Sequence, residues 1–158
     1  MVDMPDLLPV EPGYKHVLRA RLAFVWLILA ACALLLGYAL GAATRFAMLL
    51  PIAVLIAGLL MVAIAPERIY RRLRYGLSER LLQVARGWLF HTDTVVPLVR
   101  VQHLDVVRGP FDKLFGTASL VLHTAGTHNS TVTVPGLAPD KAAAMRDIIR
   151  EHVRTDFA

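Results

Sequence analysis

The chain of 158 residues is 56% hydrophobic and only 18% charged, whereas soluble domains carry about 25% charged residues. The excess apolar content is concentrated, because Arg45 is the only charged residue between Leu22 and Ala65. This composition excludes an ordinary soluble protein. Once the apolar stretch is set aside, residues 67–158 have the composition of a small globular domain.

The formal net charge is +5, and the segment from Glu67 onward holds 13 Lys and Arg against 9 Asp and Glu. Basic charge beside an apolar segment favours membrane lipids over nucleic acid as a partner, so we expect no nucleic-acid binding. The one cysteine, Cys32, lies within the apolar stretch and cannot form an intramolecular disulfide. The fold must therefore depend on packing, which fits a reducing compartment.

The apolar stretch contains two candidate membrane-spanning helices. Leu22 to Thr44 is an uncharged run of 23 residues, which as a helix spans about 34 Å and can cross a hydrocarbon core of about 30 Å. Phe46 to Ala65 adds 20 residues after a very short break. We therefore predict a transmembrane hairpin over residues 21–66, with helices at about 22–44 and 46–65. A cleaved signal peptide is the alternative for the first run, but that run is too long and another follows at once.

The distribution of basic residues predicts the orientation of the hairpin. Arg45 alone lies between the two runs, whereas basic residues flank both outer ends: Lys15, Arg19, Arg21, Arg68, Arg71, Arg72 and Arg74. By the positive-inside rule both termini should be cytoplasmic, in a multi-pass protein of the cell membrane. Residues 1–20, which contain three prolines, are predicted to be a flexible cytoplasmic tail.

Residues 67–158 are predicted to form a cytoplasmic domain of antiparallel strands followed by one helix. Runs rich in Val, Leu and Thr alternate with Gly, Pro and Asp and indicate strands near 72–77, 81–86, 88–97, 101–108, 118–124 and 130–134. Val101 and Leu104 have opposite parity, which predicts a bulge near Gln102 and His103. Residues 139–153 are predicted to be a helix with this apolar stripe: Ala142, Met145, Ile148, Ile149 and Val153.

Several motifs of this domain, in this order and spacing, resemble a known family. They are VPLVRVQHLDVVRGP at 96–110, KLFGTASLVLHTAG at 113–126 and VPGL at 134–137. The chain resembles the YdbS-like bacterial pleckstrin-homology (PH) family, also called the bacterial membrane-flanked domain. This resemblance implies an α+β fold in which a two-helix hairpin precedes a PH-like antiparallel β-sandwich or barrel closed by a C-terminal helix. One departure is Asp112, where family members often carry a basic residue.

The sequence contains no recognisable catalytic or cofactor motif. It lacks GxGxxG, a Walker loop, HExxH and a nucleophile elbow. Its histidines at 91, 103, 123 and 128 do not have the short spacing typical of a zinc site. We therefore expect no enzyme activity, no cofactor and no metal.

Two sets of residues are candidate binding sites. The first, termed here the arginine cluster, is Arg68, Arg71, Arg72 and Arg74; it is either a topogenic signal or a site for anionic lipid headgroups. The second is Arg100 and Gln102 in a predicted strand, which are either merely solvated or part of an interaction surface. The leading hypothesis is a membrane-anchored scaffold that binds a related PH-domain membrane protein or a second copy of itself, and the alternative is headgroup binding by the arginine cluster.

Overall fold

A computed structural model describes residues 5–39, 49–88, 90–125 and 131–155 of the chain. Of the positions named above, Thr44, Arg45, Phe46, Gly126 and His128 lie outside the described residues. The chain divides into two compact units. One is Lys15–Arg68, and the other combines Met1–Tyr14 with Ile69–Ala158.

The first unit consists of most of two long helices, α1 (Gly13–Ala39) and α2 (Leu49–Arg72). Both are long and apolar enough to cross a membrane. Each begins or ends beyond its predicted span on the side away from the other helix, because the flanking Lys and Arg residues are good helix formers. The predicted inner ends of both spans lie outside the described residues. Within this unit a Cβ built at Gly58 would lie 3.0 Å from the Cβ of Trp26, so α1 and α2 approach closely at this glycine.

The second unit contains two antiparallel sheets. The four-stranded sheet has the order β1–β2–β3–β4, with bounds Leu8–Pro9, Arg74–Leu77, Leu81–Gly87 and His91–Pro97. The three-stranded sheet has the order β5–β6–β7, with bounds Val101–Val107, Ala118–Thr124 and Thr131–Leu137. A short helix, α3 (Pro110–Leu114), connects β5 to β6, and α4 (Pro139–Thr155) ends the described chain. The predicted α+β class, with sheets followed by a C-terminal helix, is confirmed.

Alternating burial on the strands builds the core of the β domain. In β6, Ala118, Leu120 and Leu122 are fully buried while the residues between them are partly exposed. β3, β7 and α4 contribute further buried side chains: Leu82, Val84, Val132, Val134, Ala142, Met145 and Ile149. Of the predicted helix stripe, Ile148 is instead 48% exposed, because it lies at the margin of the buried face of α4. The predicted bulge is present as a register shift between Val101 and His103.

The N-terminal segment differs from the predicted flexible tail. Leu8 and Pro9 pair with Tyr75 and Arg74 as the edge strand β1. The following residues are also held by the β domain, since Glu11 N donates to Gly136 O at 2.8 Å. Val10 is only 3% exposed, and its carbonyl accepts a hydrogen bond from the Tyr70 hydroxyl at 3.3 Å. This segment is therefore an integral part of the β domain.

Candidate functional site

The arginine cluster lies where α2 gives way to β2. Arg68, Arg71 and Arg72 belong to the end of α2, and their three- and four-residue spacing places them on one helix face. Leu73 is buried and ends the helix, and Arg74 opens β2. All four arginine side chains are exposed. The backbone thus presents four positive charges to the surface within seven residues.

Arg72 has a defined partner within the β domain. Its Nη1 donates a 2.8 Å hydrogen bond to the carbonyl oxygen of Trp88, in the turn between β3 and β4. This bond fixes the direction of one exposed guanidinium and leaves its remaining N–H groups to donate elsewhere. The arginine cluster therefore combines charge with a structural link to a neighbouring turn.

Arg100 and Gln102 follow the end of the four-stranded sheet. Arg100 ends a short 3-10 turn, Leu98–Arg100, and its carbonyl accepts a hydrogen bond from Ala125 N at 2.9 Å. Gln102 is the residue at the β5 bulge, and both side chains are exposed. The bulge interrupts the alternation of β5 at this point and turns Gln102 away from the regular ladder.

A cavity of about 300 Å³ lies between β5 and α4, and we call it the β5–α4 groove. Its walls are Val101, Gln102, His103, Leu104, Arg146, Arg150 and Val153. The groove therefore includes Gln102 from the predicted pair but not Arg100. Arg146 and Arg150 cannot be identified as site residues from the sequence, because their spacing on α4 is that of any solvated helix face and only the fold brings them opposite β5.

The backbone beside the groove is an unpaired sheet edge. Among the described strands, β5 pairs with β6 alone, and the order of the sheet leaves its other edge without a partner strand. Such an edge presents N–H and C=O groups that an extended peptide can pair with. Apolar side chains of Val101 and Val153 and basic side chains of α4 lie beside it. Chemically, the groove suits an extended segment that carries acidic side chains.

The charges on the groove face of α4 are not fully neutralised by described partners. Arg146 Nη2 pairs with Asp147 Oδ1 at 2.8 Å on the same helix, and that carboxylate is exposed. Exposed pairs of this kind are weak, so a ligand carboxylate can compete for Arg146. Arg150 is also exposed, one helical turn further on. Acidic groups in the groove would therefore meet two guanidinium groups.

A further ion pair links the N-terminal segment to α4. Lys141 Nζ donates to Glu11 Oε1 at 2.9 Å. This hydrogen bond, together with the negative charge of Glu11, raises the pKa of Lys141 above its ordinary value. The pair holds the segment that precedes α1 against the C-terminal helix and has no direct part in the groove.

The histidines do not converge on a metal site in the described part of the chain. His123 Nε2 lies 3.3 Å from Asp105 Oδ2 across the β5–β6 ladder, and both side chains are exposed. No group of three or more His, Cys, Asp or Glu side chains within the described residues is arranged to hold an ion. The interactions in the described candidate sites are therefore those of hydrogen bonds, charge and apolar contact.

Comparison with known proteins agrees with this architecture. The family model described as "Bacterial PH domain" matches residues 17–153. The transmembrane protein YdbS of Bacillus subtilis (strain 168) is 32% identical over 100 residues, which cover 63% of this chain and 61% of that protein. The matched part of the chain thus spans less than two thirds of the relative's length. No solved structure matches the chain.

Proposed function

The chain belongs to the bacterial PH domain family, and we propose that it is a non-enzymatic, membrane-anchored module that binds a partner protein at the cytoplasmic face of the bacterial cell membrane. Its two apolar helices form the anchor, and both termini lie on the cytoplasmic side, where basic residues flank the helices. The β domain supplies the binding surface. PH-like folds serve many purposes, so the surface rather than the fold must carry the assignment.

The observation that carries this proposal is the β5–α4 groove. It joins an unpaired strand edge, a cavity of about 300 Å³ and two arginines, the partly exposed Arg146 and the exposed Arg150, on one surface of the β domain. An extended acidic segment adds to β5 through main-chain hydrogen bonds, and its carboxylates face Arg146 and Arg150. The partner is a related PH-domain membrane protein or a second copy of this chain.

The test is photo-cross-linking of the full-length protein in its native membrane. A photoreactive amino acid replaces Gln102, inside the groove, and a matched control replaces Lys113, which is exposed and does not line it. We expect a cross-linked product of defined mass from position 102 and none from 113. Arg146→Glu combined with Arg150→Glu should abolish that product. Equal cross-linking from both positions, or a product indifferent to the charge reversals, would contradict the proposal.

The second candidate function is binding of anionic lipid headgroups by the arginine cluster. The observation in its favour is that Arg68, Arg71, Arg72 and Arg74 are all exposed at the end of α2. Each basic residue near an anionic leaflet contributes about 1 kcal/mol. A purely topogenic role predicts no lipid preference once the protein has been inserted.

The lipids that the protein retains distinguish headgroup binding by the arginine cluster from a purely topogenic role. The full-length protein is extracted from mixed anionic and zwitterionic membranes, and the lipids that remain bound are quantified by mass spectrometry. Arg71→Gln with Arg72→Gln should lower the retained anionic fraction, whereas Arg100→Gln, an exposed arginine outside the cluster, should leave it unchanged. The full chain is required, because a fragment that begins at residue 67 would lack β1 and Val10.

A further inference from the structure

The turn between β3 and β4 carries two aromatic side chains, one exposed and one only partly buried by the β domain. Phe90 is 85% exposed, and Trp88 is partly exposed. We call these two residues the aromatic turn. Isolated exposed apolar residues are common, but two aromatic residues at one strand connection form a patch.

Beneath the aromatic turn lies a second cavity, of about 320 Å³. It is lined by Tyr14, Ile69, Leu73, Arg86, Gly87, Trp88, Phe90 and Pro135. Apolar side chains predominate, and Arg86 is the single charged residue in this lining. The patch and the cavity together form an apolar surface with a basic margin.

Arg72 links the aromatic turn to the helix that carries the second apolar run. Trp88 accepts a hydrogen bond from Arg72, and Arg72 ends the same continuous helix that carries the second apolar run. Arg72 is the seventh residue after Ala65, the last residue of that run, which corresponds to about 10 Å of helix. The headgroup region of a bilayer is about 5–8 Å thick on each side, so Arg72 lies close to its outer boundary. The turn is thus tied to a residue within reach of the interface.

The charges around the turn match an anionic surface. Arg72 and Arg86 are exposed, and each donates to a backbone carbonyl, of Trp88 and Thr133 respectively, which orients it without neutralising it. Tryptophan and other aromatic residues favour the membrane interface, where the ring is partly desolvated and polar groups remain wet. Arginine beside such a ring adds attraction to anionic headgroups.

We propose that the aromatic turn, Trp88 and Phe90, inserts into the interfacial region of an anionic membrane and forms a second attachment of the β domain beside the helical anchor. This inference rests on the membrane anchorage proposed above and is independent of the β5–α4 groove.

The experiment uses the full-length protein in nanodiscs whose anionic lipids carry brominated acyl chains, which quench tryptophan on contact. The chain has two tryptophans, so Trp26→Phe leaves Trp88 as the only reporter. We expect the emission of Trp88 to fall by about twofold relative to unbrominated lipid and to shift to the blue. The matched control is Trp26→Phe with Trp88→Phe and Glu79→Trp, which moves the reporter to the exposed turn between β2 and β3.

Two results of the quenching experiment would overturn the proposal. If brominated lipid quenches Trp88 no more than it quenches the control tryptophan at position 79, the aromatic turn does not insert into the membrane. If aqueous iodide fails to quench Trp88 and brominated lipid also leaves its emission unchanged, another protein or a second copy of the chain covers the turn.

The Trp88→Phe variant, which retains Trp26 within α1, reports on the anchor itself. If brominated lipid quenches Trp26 but not Trp88, only the insertion of the aromatic turn is refuted. If it quenches neither tryptophan, the membrane anchorage is refuted as well.

The contribution of charge is tested on the Trp26→Phe background. Arg72→Gln with Arg86→Gln should reduce quenching of Trp88 in anionic nanodiscs and have little effect in zwitterionic ones. Phe90→Ser should reduce quenching in both, because it removes apolar surface rather than charge. A Phe90→Ser variant with unaltered quenching would refute the participation of Phe90.

Discussion

Thr117 Oγ1 donates a 2.9 Å hydrogen bond to Asp112 Oδ1, and both side chains are buried. The second carboxylate oxygen accepts the backbone N–H of Gly109 at 3.2 Å, so one acidic side chain closes the loop that contains α3. Asp112 is also the residue at which the sequence departs from the YdbS-like family pattern, in which a basic residue is common. Its role is to hold the connection between β5 and β6, which a basic side chain could not do through the same donors.

We predict that Asp112→Ala lowers the free energy of unfolding of the β domain by about 1–3 kcal/mol, because it leaves the buried Thr117 hydroxyl without its acceptor. Lys113→Ala, at the exposed neighbouring position, should change it by less than about 0.5 kcal/mol. Denaturant unfolding of the full chain in nanodiscs, followed by Trp88 fluorescence on a Trp26→Phe background, measures both. Similar values for the two variants would show that the buried hydrogen bonds contribute little.

A second prediction concerns the two glycines with positive φ among the described residues. Gly136 has φ 74°, and a Cβ there would lie 2.6 Å from Tyr14 Cγ, whereas a Cβ at Gly116, with φ 66°, would meet nothing within 4 Å. Gly116→Ala should destabilise the β domain by about 1–2 kcal/mol, the cost of the left-handed backbone alone. Gly136→Ala should cost clearly more, because the ring of Tyr14 must also move. Equal losses in thermal unfolding would mean that Tyr14 is not held against β7.

The sequence is most informative where a pattern is local. The uncharged runs identify both long helices, and alternation identifies six of the seven strands and the bulge at Gln102. β1 could not be found in this way, since its two residues, Leu8 and Pro9, carry no periodicity and are fixed only by pairing with Tyr75 and Arg74. The short helix α3 was also missed, because five residues are too few to show a helical repeat.

The candidate binding sites also differ in how far the sequence alone reveals them. The arginine cluster is contiguous in sequence, so its charge is visible without a fold. The β5–α4 groove joins Gln102 to Arg146 and Arg150, which are more than 40 residues away. Only the packing of α4 across the sheet brings them together. Sequence patterns therefore predict sites within an element better than sites between elements.

A third prediction follows from the pair between Glu11 and Lys141. The carboxylate raises the pKa of Lys141, so the pair stabilises the fold at pH values below the ordinary lysine range and loses this contribution as the pH rises through the raised pKa. Because both groups are accessible to solvent, the effect should be small and should weaken with salt. In Glu11→Gln the pKa of Lys141, followed by NMR titration of its side chain, should return toward the ordinary value. An unchanged titration would show that the two side chains are apart in solution.

The last prediction concerns the contact between Gly58 and Trp26 in the hairpin. A Cβ at Gly58 would lie 3.0 Å from Trp26 Cβ and 3.1 Å from its Cδ2, so a side chain at position 58 would have to displace Trp26. Gly58→Leu should therefore force the helices apart at an overpacking cost of about 1–3 kcal/mol. Ala53→Leu adds a leucine to the same helix at an exposed position and is the matched control.

The measurement is made in nanodiscs on a Trp88→Phe background, which leaves Trp26 as the only tryptophan. Gly58→Leu should shift the emission of Trp26 and lower the thermal midpoint of the hairpin, because the ring loses its place against α2. Ala53→Leu should do neither, since its added side chain points away from buried packing. If both variants behave alike, leucine content rather than contact geometry determines the stability of the hairpin. A shift confined to Gly58→Leu would establish that this glycine sets the distance between the two helices.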